Sequence, residues 1–386
     1  MKIVQLDIQG FRSLKNVSWR PGDLNVIIGP NGSGKSNLLR MLEMISAAAQ
    51  GRLSRYVQVA GGMSALVWDG QANGIVFQAD FVPTQPLGIV PKYHIDLTQV
   101  GKSISYRVES ETFSTYDTYL KRNHGSTVLI KTKGVEPVPI DDNVIREDET
   151  ALAVLATPLG GFTELASFQK MLSGWLIYQN IRTDQNAPIR QAPVSRLENQ
   201  VAPDGQNLIN VLHTLYTRDR QFKQDINDAM SAAFGEDFEE LVFGPDTGDQ
   251  RVQMRVRWKT LKRDQSTADL SDGTLRFLFL MTVLASPNPP PLIAIDEPET
   301  GLHPSMLPII AEFAADAATR TQVIFTTHSD SFLDAFRDTR PTTTVAKWEH
   351  GETTLTTLDD AELAYWLEGY SLGKLFRSGE LENLAS

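Results

Sequence analysis

The chain has 386 residues, 41% hydrophobic and 22% charged, a balance that fits a packed globular protein of about two or three domains. Its 36 Lys and Arg against 47 Asp and Glu leave a formal net charge of -11, which argues against a general nucleic-acid coat protein but not against a local basic stripe. With no cysteine, disulfides and thiolate metal sites are excluded, as suits a reducing cytoplasm.

The opening Met1-Lys2-Ile3-Val4-Gln5-Leu6-Asp7 lacks the apolar core of a signal peptide and reads as a strand. No apolar run is long enough to span a bilayer, so a cytoplasmic protein without direct membrane insertion is expected. The apolar run Leu24–Ile28 leads into Gly29-Pro30-Asn31-Gly32-Ser33-Gly34-Lys35-Ser36, and Asn37-Leu38-Leu39-Arg40-Met41-Leu42 follows with the look of a helix. A full G-x-x-x-x-G-K-S stretch between strand and helix is a P-loop. Asn31, Gly32, Ser33, Gly34 and Asn37 are expected to surround the phosphates of ATP, with backbone N–H groups turned inward at the positive end of the helix. Lys35 is expected to reach the β/γ-phosphates and the Ser36 hydroxyl to hold Mg²⁺. A glycine-rich turn that binds nothing is the weaker alternative.

Further along, Tyr93, Ile95 and Leu97 alternate with His94, Asp96 and Thr98, and Ile104, Tyr106 and Val108 alternate with Ser105 and Arg107. This is the period of half-buried antiparallel strands. Residues 207–216 and 221–234 have helical spacing of apolar positions, so a mixed helical lobe is expected over about 160–265. Sustained heptads are absent, which excludes a long coiled-coil arm. In 251–259 the even positions are apolar and the odd ones basic or polar, a strand with one core face and one face bearing Arg255, Arg257 and Lys259, continued by Lys262 and Arg263. That face is either a contact for DNA phosphates or a solvated surface.

Leu270-Ser271-Asp272-Gly273-Thr274-Leu275-Arg276 precedes the apolar 277–281. Ser271 suits an N-cap, and Gly273 lets an anion approach the backbone at the helix's positive end, giving a second anion site. The stiff loop 287–291, with four prolines, leads to Leu292-Ile293-Ala294-Ile295 and the acidic pair Asp296-Glu297. A buried parallel strand ending in two carboxylates delivers them to the edge where such sheets bind ligands. Asp296 is expected to hold Mg²⁺, through water, and Glu297 to orient and deprotonate the attacking water. A further buried strand, 323–327, ends at His328, expected to contact the γ-phosphate.

These four segments, in this order, resemble the ABC class of ATPases. Ser271-Asp272-Gly273 looks like that class's signature, 299–303 like its D-loop and His328 like its switch histidine. Phe11-Arg12-Ser13-Leu14, the signature, Asp296-Glu297-Pro298-Glu299-Thr300-Gly301-Leu302-His303-Pro304 and Thr327-His328-Ser329 are similar to the RecF-like and OLD-like ATPases, of the same broad group as the chromosome-maintenance ATPase heads. Asp204-Gly205-Gln206-Asn207-Leu208 and Tyr370-Ser371-Leu372-Gly373-Lys374-Leu375 also look like this group.

The resemblance implies an α/β P-loop NTPase of ABC-head type: a mixed central sheet, an antiparallel β-rich lobe and a helical lobe bearing the signature. The expected division is 1–160 for the P-loop and β-rich lobe, 161–269 for the helical lobe, 270–350 for the second half of the ATPase core and 351–386 for the tail. It implies a homodimer on ATP binding, with MgATP between one P-loop and the other subunit's signature, working as a switch or clamp in DNA repair or in defence against phage and plasmids. Fewer than sixty residues follow His328, too few for the nuclease domain of OLD-type proteins, so a separate nuclease-like effector is expected. The alternative is the ATPase subunit of a membrane transporter, and a small-molecule kinase would have no use for the signature helix.

Several positions depart from the pattern. Asp272 and Thr274 replace a glycine and a glutamine of transporter signatures, and Asp272 is expected to turn from the phosphate toward the helix terminus. Gln71 and Gln78 are the candidates for the lobe-coupling glutamine, each also readable as an ordinary surface residue. Arg12 resembles a nucleotide-proximal arginine or is a solvated strand-end residue. The aromatic tail, with Tyr365, Trp366 and Tyr370, either packs on its own core or docks a second protein.

Overall fold

The computed structural model describes residues 1–70, 72–82, 90–101, 105–116, 118–124, 128–132, 134, 136, 138–141, 144–156, 162–245, 250–336, 339–367 and 369–384. Gln71 and Ile104 lie outside them.

The first half of the chain supplies β1 (Ile3–Phe11), β2 (Leu14–Trp19), β3 (Leu24–Ile28), α1 (Lys35–Ala49), α2 (Leu53–Val59), β4 (Gly74–Phe81), β5 (Lys92–Gln99), β6 (Tyr106–Ser114), β7 (Thr118–Asn123), β8 (Val128–Thr132) and β9 (Val138–Ile140). All of these strands except β3 join one antiparallel sheet in the order β2-β1-β4-β5-β6-β7-β8-β9. The alternation read from sequence is there: Tyr93, Ile95 and Leu97 are buried, and the residues between them are partly exposed.

Then come α3 (Ala151–Leu155), α4 (Thr163–Ser173), β10 (Leu176–Tyr178), α5 (Leu208–Arg218), α6 (Arg220–Phe234), β11 (Phe238–Pro245), β12 (Val252–Trp258), β13 (Gln265–Ser266) and α7 (Asp272–Leu284). The last stretch holds β14 (Leu292–Asp296), α8 (Leu307–Arg320), β15 (Gln322–Thr327), α9 (Asp330–Leu333), β16 (Thr342–Glu349), β17 (Glu352–Thr357), α10 (Asp360–Leu367), α11 (Leu372–Ser378) and α12 (Glu380–Leu384).

The central sheet runs β10-β14-β15-β3-β16-β17, parallel except for the antiparallel β16–β17 pair. Every residue of β3 and β15 is buried, as parallel strands covered on both faces require. Registration of Thr326 with both Asp296 and Ile27 brings the C-terminal ends of β14, β15 and β3 level, so P-loop, acidic pair and His328 emerge along one edge.

Two cores flank this sheet. One, against the antiparallel sheet, holds α1 and a ring cluster in which Phe168 stacks on Phe113 at 4.1 Å and meets Phe81 edge-on at 5.2 Å. The other holds α5 to α8, and α7 is buried almost all round, as its apolar sequence requires.

Residues 161–269, read as one helical lobe, are divided between these layers. The apolar face of α4 (Leu165, Phe168, Leu172) completes the core of the antiparallel sheet, and β10 joins the central sheet, whereas α5, α6 and the sheet β11-β12-β13 form the lobe before the signature. The segment 351–386 likewise begins with β17, a strand of the central sheet, and its Leu363, Leu372, Leu375 and Leu381 are buried in the second core. The tail packs on its own chain, leaving Tyr365 and Tyr370 exposed.

Candidate active site

The P-loop wraps from β3 into α1 with Gly34 at φ 95, in the left-handed region, where a Cβ would collide with Thr353 Oγ1. Thr353 on β17 donates to Ser33 O at 2.9 Å and lies 2.7 Å from Ser13 Oγ, which also accepts from Asn37 Nδ2 at 2.7 Å. The two hairpins on either side therefore brace the loop. Lys35 is 5% exposed, and its Nζ donates to Gly29 O at 2.7 Å and Pro30 O at 3.0 Å, leaving its third N–H without an acceptor among the described residues. Burial lowers the Lys35 pKa, and the nearby carboxylates of Glu297, Asp296 and Glu299 oppose that shift.

A phosphate chain fits this cradle: a buried cation has a donor to spare, and Ser33 Oγ is buried without a partner. For Mg²⁺ the chain offers Ser36 and Asp296, whose Oδ1 accepts from Thr326 Oγ1. Among the described residues no group of three or more His, Cys, Asp and Glu could hold a metal ion by itself. That suits Mg²⁺, which is commonly held by one or two protein ligands together with phosphates and waters.

Glu297 leaves β14 with φ 48, a left-handed backbone rare outside glycine. Its Oε1 lies 3.0 Å from His328 Nδ1. A cavity of about 30 Å³, room for a water, is lined by Gln179, Arg276, Asp296 and Glu297. The edge thus brings Lys35, Asp296, Glu297 and His328 together, an arrangement that can hold a phosphate chain and position a water against it.

Ser271 caps α7, accepting from Thr274 N at 3.0 Å. Gly273 packs where a Cβ would stand 2.8 Å from Gly301 O, and Arg276 donates to Thr300 O at 3.1 Å, so the signature is stitched to segment 299–303 of its own chain. No hydrogen bond or ion pair among the described residues links Ser271 or Gly273 to the P-loop of the same chain. Asp272 opens the first turn of α7, the helix terminus at which it was expected, with Ser271 as the cap, and it also accepts from Arg190 at 2.5 Å. Arg190, almost fully buried, also donates to Leu270 O at 2.6 Å and Thr183 O at 2.8 Å, fixing the approach to the signature. Its place in sequence carried no signal, since its partners are Asp272, eighty-two residues on, and backbone carbonyls.

Other residues at this edge were missed or assigned differently. Glu299, half-buried two residues after Glu297, accepts from Thr327 Oγ1 at 2.5 Å and has its Oε2 buried without a partner among the described residues; burial raises its pKa. Gln78 lies exposed in β4, paired in register with Asp7 and His94 within the antiparallel sheet. Gln179, directly after β10, lines the cavity with Asp296 and Glu297. The signal for it was the short apolar run Trp175–Ile177 before Tyr178-Gln179, too brief to stand out as a strand. Arg12 adopts φ 48 and is half-buried with Nε unpartnered; burial and the charge of Arg40 lower its pKa.

The basic strand is β12, with Val252, Met254 and Val256 buried as expected. Its outer face is not an open row of cations. Arg257 bridges Glu240 at 2.5 Å and Asp264 at 3.0 Å, whereas Arg255 and Lys259 on either side of it are exposed.

Residues 24–334 match the family model described as "AAA domain, putative AbiEii toxin, Type IV TA system". Among solved structures, the chain is similar to an SmcHead bound to the C-winged helix domain of ScpA, at 14% identity and a TM-score of 0.60 over 95% of this chain and 100% of that one. It is also similar to an Smc head domain with an extended coiled coil, bound to the C-terminal domain of ScpA derived from Pyrococcus furiosus, at 12% identity and a TM-score of 0.52 over 95% and 98%. These likenesses bear on the fold, and the ABC-head architecture expected from the sequence is the one observed. No curated protein matches the chain.

Proposed function

We propose, from the premise that the chain belongs to the AAA-domain family whose model spans residues 24–334, that this nucleotide-binding ATPase head works as an ATP-driven dimeric switch. Lys35 and the P-loop backbone hold the phosphates of ATP, Ser36 and Asp296 hold Mg²⁺, Glu297 activates the water and His328 meets the γ-phosphate. Mg²⁺, when bound, neutralises developing phosphate charge; the positioning belongs to the chain's own side chains. Ser271 and Gly273 of a second copy complete the site. The observation carrying this reading is the convergence of Lys35, Asp296, Glu297 and His328 on one sheet edge while the signature is tied elsewhere on its own chain.

The biological role is DNA repair or defence against phage and plasmids through a separately encoded effector. The family description, "putative AbiEii toxin, Type IV TA system", supports the defence side, and the RecF-like and OLD-like motifs support the link to DNA. The SMC-head fold and the family disfavour a transporter subunit. Steady-state hydrolysis with sizing in ATP and ADP tests the switch: a chain that hydrolyses ATP without ever dimerising contradicts it.

A further inference from the structure

A cavity of about 430 Å³ opens beside α1, away from the P-loop end of that helix, and the nucleotide reading makes no use of it. Its apolar wall is built by Ala47 of α1, Val59 of α2, Trp175, and Leu176 and Ile177 of β10. Two cations stand at its mouth, Arg52 and Arg55. Both are exposed, and their guanidinium groups make no hydrogen bond or ion pair among the described residues. Glu43 of α1 also lines the cavity, so two guanidiniums stand against one carboxyl and the charge balance favours an anion. The Tyr56 hydroxyl on the same wall is held by donation to Arg40 O at 3.0 Å.

We infer that this cavity binds a small amphipathic anion, with an apolar or aromatic body against Ile177, Leu176 and Val59 and a phosphate, sulfonate or carboxylate between Arg52 and Arg55. The volume falls within the range of small-molecule pockets, about 300–1,000 Å³, and the few polar groups set in an apolar wall are the composition such pockets have. Two unpartnered guanidiniums supply the forked donors that planar or tetrahedral oxyanions take. The occupant would lie beside Glu43, whose Oε2 accepts from Gln179 Nε2 at 3.3 Å, and Gln179 lines the water-sized cavity at Asp296 and Glu297.

The probe is 8-anilinonaphthalene-1-sulfonate, titrated by fluorescence against the folded full chain at low salt. One saturable site is expected, weakening as salt rises. Charge reversal of the exposed Arg52→Glu and Arg55→Glu should weaken it about tenfold, and Ala47→Trp, which fills the cavity, should remove it. Lys35→Ala should leave it intact, so loss of ATP binding and loss of this site are read separately. No saturable binding to the wild type, or binding unchanged in both the charge-reversed and the filled chain, overturns the proposal. Circular dichroism on each variant separates a lost site from a lost fold, and the exposed arginine pair keeps the test decisive if Ala47→Trp does not fold.

Discussion

Glu297 and His328 face each other from the ends of adjacent parallel strands, with Nδ1 of the imidazole 3.0 Å from Oε1 of the carboxylate. The left-handed backbone at Glu297, φ 48, turns the chain sharply where β14 ends, and its N–H is tied to Thr326 O at 3.0 Å. A carboxylate fixed at both backbone and side chain suits a group that must present one oxygen to a water. Glu297→Gln keeps the size and removes the base, so MgATP binding should persist while turnover falls roughly a hundredfold or more. A variant that hydrolyses ATP at near-normal rate takes Glu297 out of this role.

Lys35→Ala should act on binding itself. The ammonium is the buried point charge of the loop, and its spare N–H has no protein acceptor among its contacts. Its removal should weaken ATP at least tenfold in an equilibrium titration, whereas unchanged affinity would mean that the phosphates lie elsewhere.

The parts of the site that are contiguous in sequence were legible there: a P-loop between strand and helix, and two strands whose apolar runs end in Asp296-Glu297 and His328. Each combines a local backbone requirement with a residue type. What stayed hidden depends on partners far along the chain. Arg190 is recognisable only through Asp272 and the carbonyls near the signature, and Thr353 only because β17 returns to Ser13 and Ser33. Gln179 follows a strand of three residues whose place is set by pairing with β14. The basic face of β12 was over-read for the same reason, since Glu240 and Asp264 reach Arg257 from neighbouring strands and loops.

Glu111 offers a test of the fold away from the site. It is fully buried and accepts from Ala151 N at 2.5 Å, Leu152 N at 3.0 Å and Tyr93 OH at 3.0 Å, anchoring the start of α3 to the antiparallel sheet. Glu111→Ala leaves three donors without that acceptor, each costing about 1–3 kcal/mol when buried, while relieving the desolvation of the carboxylate. Net destabilisation of about 3 kcal/mol is expected by denaturant titration, with ATP affinity unchanged in the folded chain. An unaltered unfolding midpoint would show that the network contributes nothing net.

Ser271→Arg tests whether the site is completed across two copies. The substitution places bulk and charge at the start of α7 without touching the P-loop, so one chain should still bind ATP while the sandwich is blocked. In the Glu297→Gln background, which accumulates the ATP-bound state, sizing should give a dimer that Ser271→Arg abolishes. A strictly monomeric Glu297→Gln chain in saturating MgATP contradicts assembly in trans.

DNA contact is tested most stringently on β12, because the whole chain carries a formal charge of -11. Its reach is narrower than the alternating sequence implies, since the charge of Arg257 is matched by Glu240 and Asp264. Reversing Arg257 would crowd a third acid against those two and damage the sheet, so Arg255→Glu and Lys259→Glu are the informative pair. Two copies of this face along one groove would create a local positive field, and phosphate contacts would bind any duplex and weaken steeply with salt as counterions are released. The double variant should therefore lose ATP-dependent duplex binding while keeping basal hydrolysis, and any residual binding should show a shallower salt slope. Equal binding by wild type and variant makes β12 a solvated face, and no binding by either at any salt or nucleotide state assigns the DNA contact to the effector.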